Sequence, residues 1–221
     1  MARLVLVALL LALAAAAPAA SRPAEGHLSQ ALPEEPVAPS IAYRESLPVG
    51  LWWAGRLRHG VQLPAEGLDW FTWDPVLKRR PDRGWRRWGT DRLVRTVVEV
   101  LAGYRSANPD APRVGVGDLS RRHGGDFGPR FGSLGHASHQ NGLDADVYYP
   151  RKDGLERRPY RASQVDRRLA QDLVDRFAAA GARTIYVGPS LALEGPPKVV
   201  VPLVHHDDHL HVRLPLSARP G

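Results

Sequence analysis

The chain has 221 residues, a formal net charge of +7 and no cysteine. Without thiols there are no disulfides, no cysteine-type zinc sites, no cysteine-protease chemistry and no lipoprotein anchor. Nearly all the positive charge is arginine, with lysine only at Lys78, Lys152 and Lys198. Such a field suits an anionic neighbour such as a wall polymer, lipid head groups or nucleic acid; an arginine-rich composition with no partner is the competing reading.

In chain order, the first element is a targeting segment. Arg3 precedes an unbroken apolar run from Leu4 to Ala17, and Ala17-Pro18-Ala19 with Ala20 and Ser21 supplies small residues for cleavage. The run is shorter than the ~20 residues a spanning helix needs, so residues 1–20 read as a signal peptide; an uncleaved anchor is the alternative. No transmembrane helix is expected after cleavage. A Pro/Glu-rich linker follows over 21–45, leaving one domain at 46–216, which is long enough to bury a hydrophobic core.

Residues 40–90 hold all six tryptophans among Gly, Pro and Arg and read as loop with short strands. The rings either plug the edge of the core or form a stacking platform for glycans. Thr90 then caps a helix in which Leu93, Val94, Val97, Val98, Leu101 and Tyr104 recur at helical spacing before Pro109. A second helix is predicted from Ser163, with Ser163 and Asp166 at capping-box spacing, Val165, Leu169, Leu173, Val174 and Phe177 on one face, and Gly181 closing it. Short β-branched runs at 113–116, 143–149, 183–187, 199–204 and 210–214 read as strands. Helices grouped around such strands, without regular alternation, predict an α+β domain with a central, largely antiparallel sheet.

Six of the nine histidines fall in two clusters, His136 with His139, and His205, His206, His209 and His211. His139 precedes Asp146 by seven positions across Gly142. A turn there brings one imidazole nitrogen and one carboxylate oxygen to a common point, as a divalent cation requires. His209 and His211, two apart on a strand, face the same side, so one can ligate a metal while the other handles protons. Two imidazoles and one carboxylate leave a tetrahedral Zn2+ an open position for water. Asp144 and Asp208 are candidates to fix an imidazole tautomer, whereas Asp207 reads as a solvated charge. His27, His59 and His123 are isolated and receive no role.

The paired motifs, together with Gly117-Asp118-Leu119-Ser120, the stretch from Gly135 to Asp146 and the stretch from His205 to Arg213, resemble the penicillin-insensitive murein endopeptidases. These belong to the zinc peptidase superfamily of lysostaphin-type enzymes, D-alanyl-D-alanine metallopeptidases and the hedgehog domain. The resemblance runs from about Ser46 to Leu214. It implies zinc on His139, Asp146 and His211, His136 as a further ligand, His209 as catalytic base and His206 as a stabiliser of the tetrahedral intermediate. It implies hydrolysis of a D-alanyl to meso-diaminopimelyl cross-link, or a related bond, in peptidoglycan stems, at a periplasmic, secreted or wall-associated location.

Arg213, Arg121 or Arg122 would then meet a stem carboxylate. The competing readings are a zinc-containing wall-binding module without catalysis, and an arginine-driven polymer binder whose affinity would fall steeply with salt. A metal-dependent nuclease has the same residue types, but the targeting segment and the resemblance both point away from a nucleic-acid partner.

Overall fold

The computed structural model describes residues 38–128 and 137–216. All of them belong to one unit spanning Pro36–Gly221. The predicted signal peptide, the linker up to residue 37 and His136 lie outside the described residues.

The N-terminal part folds as short strands. β1 (Leu47–Leu51) and β2 (Ala54–Arg58) make an antiparallel hairpin with Trp52 and Trp53 at its tip, and β3 (Val61–Gln62) pairs with β5 (Trp88–Gly89). β4 (Trp70–Thr72) instead joins the main sheet. The six tryptophans divide accordingly: Trp70 and Trp73 are buried, Trp53 is exposed, and the other three are intermediate.

Helix α1 (Asp91–Ala107) begins where its cap predicts. The Thr90 side chain accepts from Leu93 N–H, and Asp91 lies in the positive first turn. Its buried side chains are Leu93, Val94, Val97, Val100, Leu101 and Tyr104, the apolar stripe of the sequence with Val98 only partly covered.

Helix α2 (Arg167–Ala179) starts four residues later than predicted. Its cap is Asp166, whose carboxylate accepts from Leu169 N–H, while Ser163 sits in a short 3-10 turn. The cause is Val165. It is buried and held extended by a β-bridge to Arg151, which breaks the backbone between the two candidate caps.

The sheet has six strands in the order β4-β6-β7-β10-β8-β9, with β6 (Val114–Val116), β7 (Asp144–Tyr148), β8 (Thr184–Val187), β9 (Val200–Pro202) and β10 (His209–Arg213). The central pairings are antiparallel, and the outermost pairs, β4 with β6 and β8 with β9, are parallel. The fold class is α+β, as expected. None of the helices among the described residues is long and apolar enough to cross a membrane.

Alternation along the two central strands separates core from site. Ala145 and Val147 on β7, with Leu210 and Val212 on β10, are fully buried in the same cluster as Leu101, Leu173 and Phe177 of the helices. Their neighbours Asp144, Asp146 and Tyr148, and His209, His211 and Arg213, must point to the opposite face. Both helices therefore cover one side of the sheet, leaving the other side for chemistry.

Candidate metal centre

The register of β7 against β10 builds the floor of the site. His211 lies directly opposite Asp146, Arg213 opposite Asp144 and His209 opposite Tyr148. Facing residues of an antiparallel pair have Cβ atoms about 4.5–5.5 Å apart, close enough for side chains to bond across the strands.

The third donor comes from the loop before β7. His139 has a positive φ of 70°, a conformation few non-glycine residues adopt, and Gly142 follows at 77°. Several long-range bonds hold this loop. Gln140 N–H donates to the carbonyl of Trp52 at the hairpin tip, Gly125 N–H to the carbonyl of Gln140, and Thr90 N–H at the head of α1 to the carbonyl of Gly142. A Cβ at Gly124 would stand 2.1 Å from the Gln140 oxygen, so the approach of that segment requires glycine.

The donors converge. His139 Nε2 stands 3.4 Å from Asp146 Oδ1, and His211 Nδ1 stands 3.0 Å from the same oxygen. Ligand atoms of all three residues lie within 4.8 Å of one another, and all three side chains are buried. Tetrahedral zinc with bonds near 2.1 Å places its donors roughly 3.4 Å apart, near the two separations from Asp146, and two imidazoles with one carboxylate are a donor set that suits zinc.

Each imidazole is oriented by its other nitrogen. His139 Nδ1–H donates to the carbonyl of Leu119 at 2.5 Å, and His211 Nε2–H donates to Asp144 Oδ1 at 2.8 Å. The Gly117–Ser120 stretch thus has a structural role: it supplies that carbonyl, and its backbone brackets Asp146 through Asp146 N–H to the Asp118 oxygen and Gly117 N–H to the Asp146 oxygen. Asp144 Oδ1 also accepts from Arg213 Nε at 2.6 Å.

The electrostatics follow from these contacts. Burial raises the pKa of Asp146, but the charges of His139 and His209 and the hydrogen bonds from His139 and His211 outweigh it and hold the carboxyl well below its usual range. Asp144 is likewise lowered, with its bond to His211 and the charges of His211, His139 and Arg213 overcoming burial. For His211, burial pulls down and the two carboxylates push up, leaving it at about 9.

His209 and His206 stand beside the three donors. His209 Nε2 is 3.7 Å from Asp146 Oδ1, and its Nδ1–H donates to Asp208 Oδ1 at 2.7 Å. The His206 ring lies 4.8 Å from that of His209, and its Nδ1–H donates to the carbonyl of Val204 at 2.9 Å. Burial and the neighbouring His209 depress its pKa, so the neutral ring presents Nε2 as an acceptor.

Asp207 is no free solvated charge: Ser190 donates to it from both N–H and Oγ, tying the histidine loop to the turn after β8. Four predicted residues, His139, Asp146, His209 and His211, thus meet in one place, with His206 beside them.

These side chains open into a cleft of about 820 Å³, whose lining also includes Trp52, Tyr148, Arg158, Tyr160 and Tyr186. Sequence reasoning missed Arg158 and Tyr186, which carry no motif or periodic spacing. Arg121 and Arg122 are not among the cleft-lining residues. Arg121 donates to the carbonyl of Asp126, and Arg122 lies over the Trp88 ring.

Three convergent donors on the floor of a cleft, with a carboxylate-backed histidine beside them, have the layout of a metal-dependent hydrolase centre. The chain belongs to the penicillin-insensitive murein endopeptidase family, whose profile matches residues 48–186. The matched segment contains His139 and Asp146 and stops before β10. Comparison with curated proteins gives no match. Members of this family are peptidases of murein, which makes the cell envelope the setting of the activity.

Proposed function

We propose that the protein is a zinc-dependent endopeptidase that hydrolyses the D-alanyl to meso-diaminopimelyl cross-link of peptidoglycan, or a closely related bond, after export to the periplasm. The observation that carries this reading is the convergence of His139, Asp146 and His211 within 4.8 Å on a cleft floor in a chain of the murein endopeptidase family. Residues 1–20 would act as the signal peptide and 46–216 as the catalytic domain, and His136 remains a candidate for a further ligand.

Zinc held by His139, Asp146 and His211 would supply Lewis acidity toward the scissile carbonyl and the attacking water. The remaining work falls to the chain. His209 Nε2 faces the donors and takes the proton of the attacking water, with Asp208 holding the opposite N–H and stabilising the imidazolium that forms. His209 then returns that proton to the leaving amine. His206, beside His209 on the same cleft, would stabilise the tetrahedral intermediate. No covalent intermediate is needed, so β-lactams should not inhibit.

The test is digestion of purified peptidoglycan by the protein with zinc, with a chelator, and as the His211→Ala variant, followed by mass spectrometry of the products. Loss of cross-linked dimers with matching gain of monomers, abolished by both chelator and mutation, is expected. Stoichiometric zinc with intact cross-links would favour a wall-binding module, and absence of both would sink the proposal.

A further inference from the structure

Both histidines on β10 are backed by a carboxylate, and both carboxylates are backed by an arginine. On one side His211 bonds to Asp144, which accepts from Arg213 Nε. On the other His209 bonds to Asp208, whose Oδ2 pairs with Arg158 Nη2 at 2.9 Å.

The two arginines differ in what remains to them. The Arg213 guanidinium lies 4.3 Å from the Trp52 ring and 5.9 Å from that of Tyr186, and its side chain is only 8 % exposed. Packed in this way, it serves the wall of the site. The Arg158 side chain is 24 % exposed and lines the cleft, with its guanidinium 5.9 Å from the Tyr148 ring and 5.1 Å from that of Tyr160.

Arg158 also has donors to spare. Among the described residues its Nη2 alone meets an acceptor. Nε is buried with no partner, and Nη1 makes no hydrogen bond. The buried Nε does not reach the cleft, but Nη1 and the second hydrogen of Nη2, on a permanently charged fork steadied by two rings in the cleft wall, match a carboxylate bidentately. Asp208 does not exhaust it, because the Asp208 carboxylate is shared with His209.

We propose that Arg158 is a specificity residue that binds a free carboxylate of the peptide on the Tyr148 and Tyr160 side of the scissile bond. The assignment rests on the peptidase reading above. It also suits the chemistry of the proposed substrate, since in a diaminopimelyl cross-link the scissile amide nitrogen sits on a carbon that bears a carboxylate.

The test uses the zinc-loaded protein and two cross-linked dimers that differ only in whether that carboxylate is free or amidated. Wild type should show a KM roughly tenfold or more higher for the amide. Arg158→Gln should erase the discrimination, bringing KM for the acid to that of the amide, while any fall in kcat from the lost Asp208 contact is shared equally by the two substrates. Arg158→Lys should recover part of the discrimination. Equal treatment of acid and amide by wild type would overturn the proposal. So would an acid-to-amide KM ratio left at its wild-type value in Arg158→Gln, the sign of a role only in supporting Asp208.

Calorimetric binding of an uncleaved stem tetrapeptide, as acid and as amide, separates this proposal from the one it rests on. Preference for the acid without cleavage of either dimer would refute the activity and leave the Arg158 assignment standing. No preference for the acid would overturn the assignment whatever the activity. If Arg158→Gln fails to fold, the wild-type and Arg158→Lys comparisons decide.

Discussion

Asp144 and His211 lie on the same face of the sheet on adjacent strands, and the 2.8 Å bond from His211 Nε2–H to Asp144 Oδ1 determines which ring nitrogen turns toward the other donors. Nδ1, at 3.0 Å from Asp146 Oδ1, is the nitrogen turned toward the other two donors. Asp144→Asn can present its NH2 group instead of an acceptor and would favour the wrong tautomer. Zinc affinity should fall about 10- to 100-fold, measured by competition with a chromogenic chelator, with the fold intact by circular dichroism.

Asp208 acts on His209 without being a donor to the metal. Asp208→Asn should therefore retain stoichiometric zinc while kcat falls about 100-fold or more and KM changes little. Loss of zinc in this variant would place Asp208 in the metal centre and contradict the division of labour proposed here.

Away from the cleft mouth, Arg86 is fully buried between two carboxylates. It makes a bidentate ion pair with Asp118, while Asp82 Oδ1 lies 3.8 Å from its Nε and Asp82 Oδ2 has no partner. Burial, with repulsion from Asp118, pushes Asp82 up to about 9 against the pull of Arg86. A carboxyl raised from its ordinary value of 3.8 stabilises the fold fully below that value, and the contribution is lost as pH rises through about 9. Asp82→Asn imitates the neutral form. It should flatten the fall in Tm between about pH 5 and 9 and raise stability at pH 8 by about 1–2 kcal/mol, read by thermal melts across pH.

The helix layer should be separable from the chemistry. Phe177 is completely buried in the cluster that joins α1, α2 and the inner face of the sheet. Phe177→Ala should cost about 3–5 kcal/mol in denaturant unfolding, while the folded fraction keeps its zinc stoichiometry.

Much of this was legible before the fold was known, and the reason is periodicity. The stripe from Leu93 to Tyr104 and the alternation of His209, Leu210, His211, Val212 and Arg213 each report which face is buried. The spacing of His139 and Asp146 across Gly142 reports a turn. Ser163 misled because a cap signal is local, whereas the start of α2 is decided by the Val165 bridge to Arg151. Arg158 and Tyr186 had no signature because they reach the cleft only through long-range contacts. Gly117–Ser120 stood out by resemblance, yet its hold on His139 and Asp146 is through backbone groups, which no side-chain pattern reveals.

The strand register described above has one more consequence. Because side chains alternate, shifting β10 by a single residue against β7 would turn Leu210 and Val212 into the cleft and bury both histidines among the helices. There is no half-built version of this centre on an otherwise sound sheet. Correct folding and assembly of the three donors are one event, so a mispaired copy loses the site by its own error, a useful property in a member of a family of murein endopeptidases.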